Sequence, residues 1–261
     1  MPVLTLCTIV RRMETGPTPH RILIIDDDAI SLAVAAVLLE SEGCTVDQAE
    51  SGEQALEMLT GSAGSDAPDC ILADLLMPSL AGPELAARLR PLAPRALFLA
   101  MSATPPSAVE GYDRLLRKPL SPETLRETLA LIPPSAASAA GTVDMDAPAA
   151  EGSDSEVLDS SVFQRLRRAM SRDGLLEVIS AFLEDTAARI AAMRTAEGEP
   201  VKRQAHTIKG SAGMLGLPQV AAHAAAIEAG IDHHGDRQRK LDALEVSVRS
   251  AEVILKQRLK I

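Results

Sequence analysis

One histidine stands out because of the residues that surround it in the stretch VKRQAHTIKGSAGMLGL, residues 201–217. Placed on a helix, the apolar residues of this stretch form one stripe, and His206 falls on the opposite face together with Lys209, Gly210 and Gly213. A glycine inside a helix costs about 1 kcal/mol relative to alanine, so two of them beside His206 indicate that another surface approaches closely. We therefore predict an exposed imidazole, in a positively charged clearing, that carries a phosphoryl group between proteins.

A single helical histidine is more often an ordinary hydrogen-bonded side chain, so the interpretation depends on a second group of residues upstream. Polar residues follow four stretches that are predicted to form strands: Asp26 to Asp28, Asp74, Ser102 and Lys118. Clustered carboxylates repel one another, and a divalent cation with oxygen ligands offsets this repulsion. Lys118 and Ser102 would add a positive charge and a hydroxyl group that bind phosphoryl oxygens. This set predicts a site for a hard divalent cation beside a bound phosphoryl group.

These polar residues need a parallel sheet that brings the carboxyl ends of the strands together. Short apolar runs at 22–25, 70–73 and 96–100 predict strands that are buried on both faces, and weaker runs at 45–49 and 114–117 complete five. Helical patterns lie between the strands, so the predicted fold is an α/β doubly wound five-stranded parallel sheet. Asp28 is the acidic residue that we expect to cap the first helix rather than bind the cation.

The rest of the chain carries no strand pattern. Residues 133–155 are rich in alanine, serine, glycine and proline without apolar periodicity, which predicts a flexible linker. Residues 156–261 show successive helical stripes with short connections, which predicts an all-α antiparallel helical bundle of four-helix type. The predicted organisation is therefore a flexible leader at 1–19, an α/β domain at 20–132, the linker, and the bundle.

Residues 20–132 resemble the response-regulator receiver domain, a flavodoxin-like fold. The resemblance is carried by ILIIDDD, by D-LL-MP-x3-G at 74–82, by Ser102-Ala103 and by Lys118-Pro119. It implies that Asp74 is the phosphorylated nucleophile, that Ser102 and Lys118 contact the phosphoryl group, and that Mg²⁺ is bound by Asp26, Asp27, Asp74 and the backbone carbonyl of Leu76. A sensor histidine kinase is the phosphoryl donor that this family implies.

Three departures from the receiver pattern concern the face that usually passes the signal on. Ala81 stands where the family commonly has an acidic residue, and Leu115 stands where it has an aromatic residue. The segment between Ser102 and Lys118 is short, so its helix is predicted to be a stub around residues 106–111. These changes spare the residues of the phosphorylation chemistry.

Residues from about 156 to 259 resemble the histidine-containing phosphotransfer (HPt) domain, through FLEDTAARIAAM, AHTIKGSAGMLG and AAIEAG. The resemblance implies that His206 accepts the phosphoryl group and that Lys209 stabilises its charge. Neutral imidazole is the nucleophilic form, and an exposed histidine with a pKa of about 6.5 is largely neutral near pH 7. Receiver domains of other proteins are the implied exchange partners.

Composition narrows the class of protein. A net charge of −10 argues against nucleic acid as a partner, three scattered cysteines suit a reducing cytoplasm, and the apolar run at 3–10 is too short to span a membrane. Met13 could be the true start.

No glycine-rich phosphate loop is present, so we expect a phosphotransfer signalling protein with a separate kinase rather than an enzyme. Two alternatives use the same residues: a binding adaptor whose receiver docks partners, and a phosphate sink that drains a pathway by hydrolysis.

Overall fold

The structure is a computed structural model. It describes residues 19–61, 67–103, 108–120, 122–132, 157–230 and 234–260. The predicted leader and linker fall almost wholly outside these ranges. None of the helices within the described ranges combines the length and the apolar character needed to cross a membrane.

A five-stranded parallel sheet forms the centre of the N-terminal half. Its strands run in the spatial order β2-β1-β3-β4-β5, with bounds β1 Arg21–Ile25, β2 Thr45–Ala49, β3 Cys70–Asp74, β4 Leu97–Ser102 and β5 Arg114–Arg117. The three central strands are the most apolar, and β3 is buried at every position, as a strand covered on both faces must be. The predicted doubly wound fold is confirmed.

Four helices accompany the sheet: α1 Ala29–Ser41, α2 Gly52–Gly61, α3 Gly82–Leu89 and α4 Pro122–Leu129. Asp28 caps α1 as predicted, because its carboxylate accepts a hydrogen bond from the backbone N–H of Ser31 at 3.1 Å. The predicted stub helix is not found in the described part of its range, since residues 108–111 form a turn; residues 104–107 lie outside the described chain. The connection from β4 to β5 is held instead by Asp113, whose carboxylate accepts the backbone N–H of Phe98 at 2.8 Å.

The C-terminal half is all-helical over the residues that the structure describes. Its helices are α5 Ser160–Ala169, α6 Arg172–Thr195, α7 Glu199–Met214, α8 Pro218–Glu228 and α9 His234–Leu259. Contacts run from α6 to α7, from α7 to α8, from α8 to α9 and from α9 back to α6, which closes a ring of four helices. The short α5 joins this ring through its contact with α6.

The two halves pack against each other through α1. This helix contacts β1 and β2 on one side, and α5, α6 and α7 on the other. A single apolar core runs from one face of the sheet through α1 into the helical ring, while a second core lies on the other face of the sheet. Helix α7, which carries His206, therefore lies beside the sheet edge that carries Asp74.

Candidate functional site

The acidic residues that end β1 and β3 meet at the carboxyl edge of the sheet. Each of Asp26, Asp27 and Asp74 offers a carboxylate oxygen, and the three oxygens lie within 4.8 Å of one another. Asp26 and Asp74 are almost completely buried. Parallel pairing explains the convergence, because β1 and β3 are neighbours in register and both strands end at this edge.

Lys118, the residue after β5, provides the positive charge of this pocket. Its ammonium nitrogen lies 2.6 Å from Asp26 Oδ2 and 2.6 Å from Asp74 Oδ2, with its side chain only 5% exposed. Burial alone would lower the pKa of this ammonium group, but the two ion pairs outweigh burial and raise the pKa. Lys118 is therefore a permanent cation between two carboxylates.

One lysine does not balance three carboxylates. Burial, reinforced by repulsion from Asp74, raises the pKa of Asp26 to about 7 in spite of the ion pair with Lys118. The pKa of Asp27 is also raised, by burial and by the charge of Asp74. Three oxygen ligands of like charge at this spacing fit a hard divalent cation such as Mg²⁺, which would stabilise their ionised forms.

The other predicted pocket residues lie around this cluster. Leu76 donates its backbone N–H to Asp74 Oδ1 at 3.0 Å, which holds the carboxylate in place, and its own side chain is 54% exposed. Ser102 is buried at the end of β4, and its carbonyl oxygen accepts the backbone N–H of Lys118 at 2.9 Å. The connection after β5 is thus tied to the end of β4, which sets the direction in which Lys118 leaves the sheet.

His206 lies in the middle of α7 and is 7% exposed. The prediction of a solvent-facing imidazole is wrong for this structure. The physical reason is the packing of the two halves: His206, Thr207 and Gly210 line one small cavity together with Asp26, Asp27, Asp74, Leu76 and Lys118. The imidazole is covered by the acidic pocket of the other half of the chain.

A residue that the sequence analysis did not single out orients this histidine. Glu228, the last residue of α8, places Oε1 2.5 Å from His206 Nδ1. A carboxylate only accepts hydrogen bonds, so the proton of a neutral imidazole lies on Nδ1 and the lone pair is left on Nε2. The signal available in the sequence was a lone glutamate in the apolar segment AAIEAG, one helix away from His206.

Lys209 binds the same glutamate, with its ammonium nitrogen 2.9 Å from Glu228 Oε2. Burial alone would raise the pKa of the Glu228 carboxyl, but the hydrogen bonds from His206 and Lys209 outweigh burial and lower it. Two of the predicted site residues, Ser102 and Lys209, are not among the described residues that line the small cavity. In this structure Lys209 forms an ion pair with Glu228 behind the imidazole.

Two family models match the chain. The response regulator receiver domain matches residues 22–130, and the Hpt domain matches residues 177–259. The first match covers the sheet from Ile22 onward with Asp26, Asp74 and Lys118, and the second covers α7 with His206 as well as Glu228.

Similar proteins and structures match the N-terminal half. The response regulator MprA of Mycolicibacterium vanbaalenii is 31% identical over 113 residues, which are 41% of this chain and 47% of that protein. Hybrid signal transduction histidine kinase L of Dictyostelium discoideum is 27% identical over 42% of this chain and 7% of that protein. The chain thus spans less than half the length of these curated relatives.

Two similar solved structures also match less than half of this chain. Chemotaxis protein CheY4 of Vibrio cholerae is 25% identical, with a TM-score of 0.40 over 44% of this chain and 99% of that chain. The receiver domain of hybrid histidine kinase CckA is 32% identical, with a TM-score of 0.37 over 42% of this chain and 95% of that chain.

Proposed function

The chain is a response regulator receiver domain followed by an Hpt domain, and we propose that it acts as a cytoplasmic two-component phosphorelay protein. In this proposal Asp74 accepts a phosphoryl group from a separate histidine kinase, and His206 carries one for exchange with receiver domains. The observation that carries the proposal is the convergence of Asp26, Asp27, Asp74 and Lys118 at one sheet edge.

Asp74 is the proposed nucleophile because its carboxylate is held from two sides. The backbone N–H of Leu76 fixes Oδ1 and the ammonium group of Lys118 contacts Oδ2. In the transfer, the P–N bond of the donor phosphohistidine breaks and a P–O bond to Asp74 forms, which adds negative charge to an already acidic pocket. Lys118 stabilises that charge, and Ser102 is proposed to donate its hydroxyl to a phosphoryl oxygen.

Mg²⁺ is the proposed metal, bound by Asp26, Asp27, Asp74 and the carbonyl oxygen of Leu76. Bound there, Mg²⁺ would neutralise charge on the carboxylates and on the phosphoryl oxygens. The close spacing of the three carboxylates and the raised pKa of Asp26 and Asp27 support a cation at this position.

His206 is the proposed carrier because Glu228 leaves the lone pair on Nε2. When Nε2 attacks phosphorus, the ring becomes positively charged and keeps its proton on Nδ1. The Glu228 carboxylate, 2.5 Å from Nδ1, stabilises this charge. Lys209 is proposed to hold Glu228 in position and to offset the charge of the phosphoryl group.

The test is labelling of the full chain by a phosphorylated sensor kinase, with base-labile acyl phosphate and acid-labile phosphohistidine measured separately. We expect Asp74→Asn to abolish the acyl phosphate and the Mg²⁺ dependence, and His206→Gln to abolish the phosphohistidine. Matched controls are Asp69→Asn, just before β3, and His223→Gln on α8. Acyl phosphate that persists in Asp74→Asn would contradict the proposed nucleophile, and a rapid loss of acyl phosphate to water would favour the phosphate sink.

A further inference from the structure

Helix α1 is buried on two faces, unlike the other helices that cover the sheet. Eight of its thirteen residues are buried, and the first charged residue is Glu40, near its end. Helix α2, which covers the opposite face of the sheet, has three buried residues in ten and three charged or amide side chains. A helix that is apolar all round needs a second covering surface. In this chain that surface is formed by α5, α6 and α7.

The glycines of α7 allow this surface to come close to the loop after β5. A Cβ atom added to Gly213 would lie 3.5 Å from Pro119 Cδ, and one added to Gly210 would lie 3.9 Å from Lys118 Cδ. A methyl group at Gly213 would already be in van der Waals contact with Pro119, so a larger side chain that extends toward the ring would push it aside. The close approach inferred from these glycines is therefore made within this chain.

The contact brings together the two groups that the proposed function assigns to phosphoryl transfer. Asp74 and His206 line the same small cavity, with Lys118 between the aspartates and Glu228 behind the imidazole. Both side chains are almost fully buried, so water has little access to either. Exclusion of water protects a reactive acyl phosphate from hydrolysis during transfer.

We propose that this contact is the transfer complex itself, and that a phosphoryl group passes between Asp74 and His206 of the same chain. The inference rests on the proposed function. In the step, the P–O bond at Asp74 breaks and regenerates its carboxylate, while a P–N bond forms at His206 Nε2. The Nδ1 proton stays on the ring beside Glu228, so no further reactant is consumed. The receiver domain's exchange partner is the helical region that follows it.

The connection between the two halves favours this route over transfer between molecules. Residues 133–156 join α4 to the first described residue of the helical region. Because the two groups belong to one chain, their effective concentration is on the order of millimolar. At chain concentrations well below this value, transfer within one chain outpaces transfer between chains.

The experiment labels the full chain with radioactive acetyl phosphate in the presence of Mg²⁺ and follows phosphohistidine as acyl phosphate decays. We expect a first-order rate that does not change with protein concentration. An equimolar mixture of Asp74→Asn and His206→Gln chains can label His206 only between molecules. We expect this mixture to be at least about tenfold slower than the wild type at low concentration.

Gly213→Leu tests the contact itself. Leucine favours a helix more than glycine does, so α7 remains folded, and Asp74 remains able to accept phosphate. We expect its concentration-independent transfer to fall at least about tenfold, because the leucine meets Pro119. The matched control is Gly61→Leu at the end of α2, where an added Cβ meets nothing within 4 Å; it should transfer like the wild type.

The outcomes separate this inference from the proposed function. A wild-type rate that rises with protein concentration, a mixture as fast as the wild type, or an unimpaired Gly213→Leu would overturn transfer within the chain and leave the phosphorelay standing. Absence of phosphohistidine in the wild type and in the concentrated mixture, with Asp74 labelled, would overturn both.

Discussion

The two sites at which we propose phosphoryl groups are accepted differ in how their charges are balanced. At the sheet edge, three carboxylates share one lysine, and the pKa of Asp26 is raised to about 7 because the cluster is buried and acidic. On α7, one imidazole and one lysine share a single carboxylate, and the pKa of Glu228 is lowered. Without a metal cation, repulsion among the carboxylates destabilises the first site, whereas the charges of the second site are balanced by its own side chains.

This difference assigns different tasks to the two sites. A pocket with excess negative charge would bind a cation before a phosphoryl group, so its proposed chemistry should depend on Mg²⁺. A balanced histidine site would need no metal, since Glu228 contacts the ring and would stabilise the charge that the proposed phosphorylation puts on it. We therefore expect substitutions in the acidic pocket to change the free energy of unfolding, and a substitution beside His206 to change the rate of its phosphorylation. Three substitutions test this.

The largest effect is expected for Lys118→Met. Removing the buried cation leaves Asp26 and Asp74 without their counter-charge, so unfolding free energy in EDTA should fall by about 3–5 kcal/mol. Urea denaturation measures this change in unfolding free energy. Lys202→Met is the matched control, because Lys202 makes an exposed pair with Glu199 and should cost less than about 1 kcal/mol. Equal losses of unfolding free energy in Lys118→Met and Lys202→Met would contradict the account of a pocket destabilised by repulsion among its carboxylates.

A smaller effect of opposite sign is expected for Asp26→Asn. The folded pKa of Asp26 lies above the ordinary value of 3.8, so its contribution to stability is present below pH 3.8 and is lost as pH rises through about 7. In EDTA at pH 8 the variant should be more stable than the wild type, on the order of 1–3 kcal/mol, and the gain should shrink toward pH 5.

Thermal unfolding from pH 5 to pH 8 measures this difference. Asp69→Asn, partly exposed at the other edge of the sheet, provides the control for the loss of one carboxylate. Saturating Mg²⁺ should reverse the order of stability, because the wild type keeps all three carboxylate ligands. A variant that is less stable than the wild type at pH 8 in EDTA would show that Asp26 is not strained.

The smallest effect is expected for Glu228→Gln. The amide can present either oxygen or nitrogen to Nδ1, so the preference for the proton on Nδ1 weakens, and phosphorylation of His206 should slow by about tenfold. Nitrogen-15 NMR of the imidazole should show a mixture of tautomers, which a purely structural role would not produce. Glu199→Gln, on the exposed first turn of α7, is the control. An unchanged tautomer with an unchanged rate would remove Glu228 from the site.

Much of the receiver domain could be predicted from local sequence, because the three central strands are short apolar runs and the functional residues lie at or just after the ends of strands. Parallel strands bring their carboxyl ends to one edge whatever the details of packing, so Asp26, Asp74 and Lys118 could be grouped without a structure. The predicted cap by Asp28 is confirmed for the same reason, since a capping bond spans only three residues.

The histidine site was harder to predict, because its contacts join different helices. Glu228 lies twenty-two residues from His206 along the chain, and periodicity within one helix says nothing about which neighbour faces it. The burial of His206 was also missed. Burial of His206 depends on α1, whose buried residues, Leu32 and Ala36 among them, lie on more than the one face that a sheet covers.

The sequence by itself determined the two folds and most of the side chains that could handle a phosphoryl group, because these follow from patterns a few residues long. Only the tertiary structure decided that α1 has two covered faces, that Gly213 lies against Pro119, and that His206 is enclosed with Asp74. Such contacts depend on how two surfaces fit across about 130 residues of chain, and no local pattern specifies that fit.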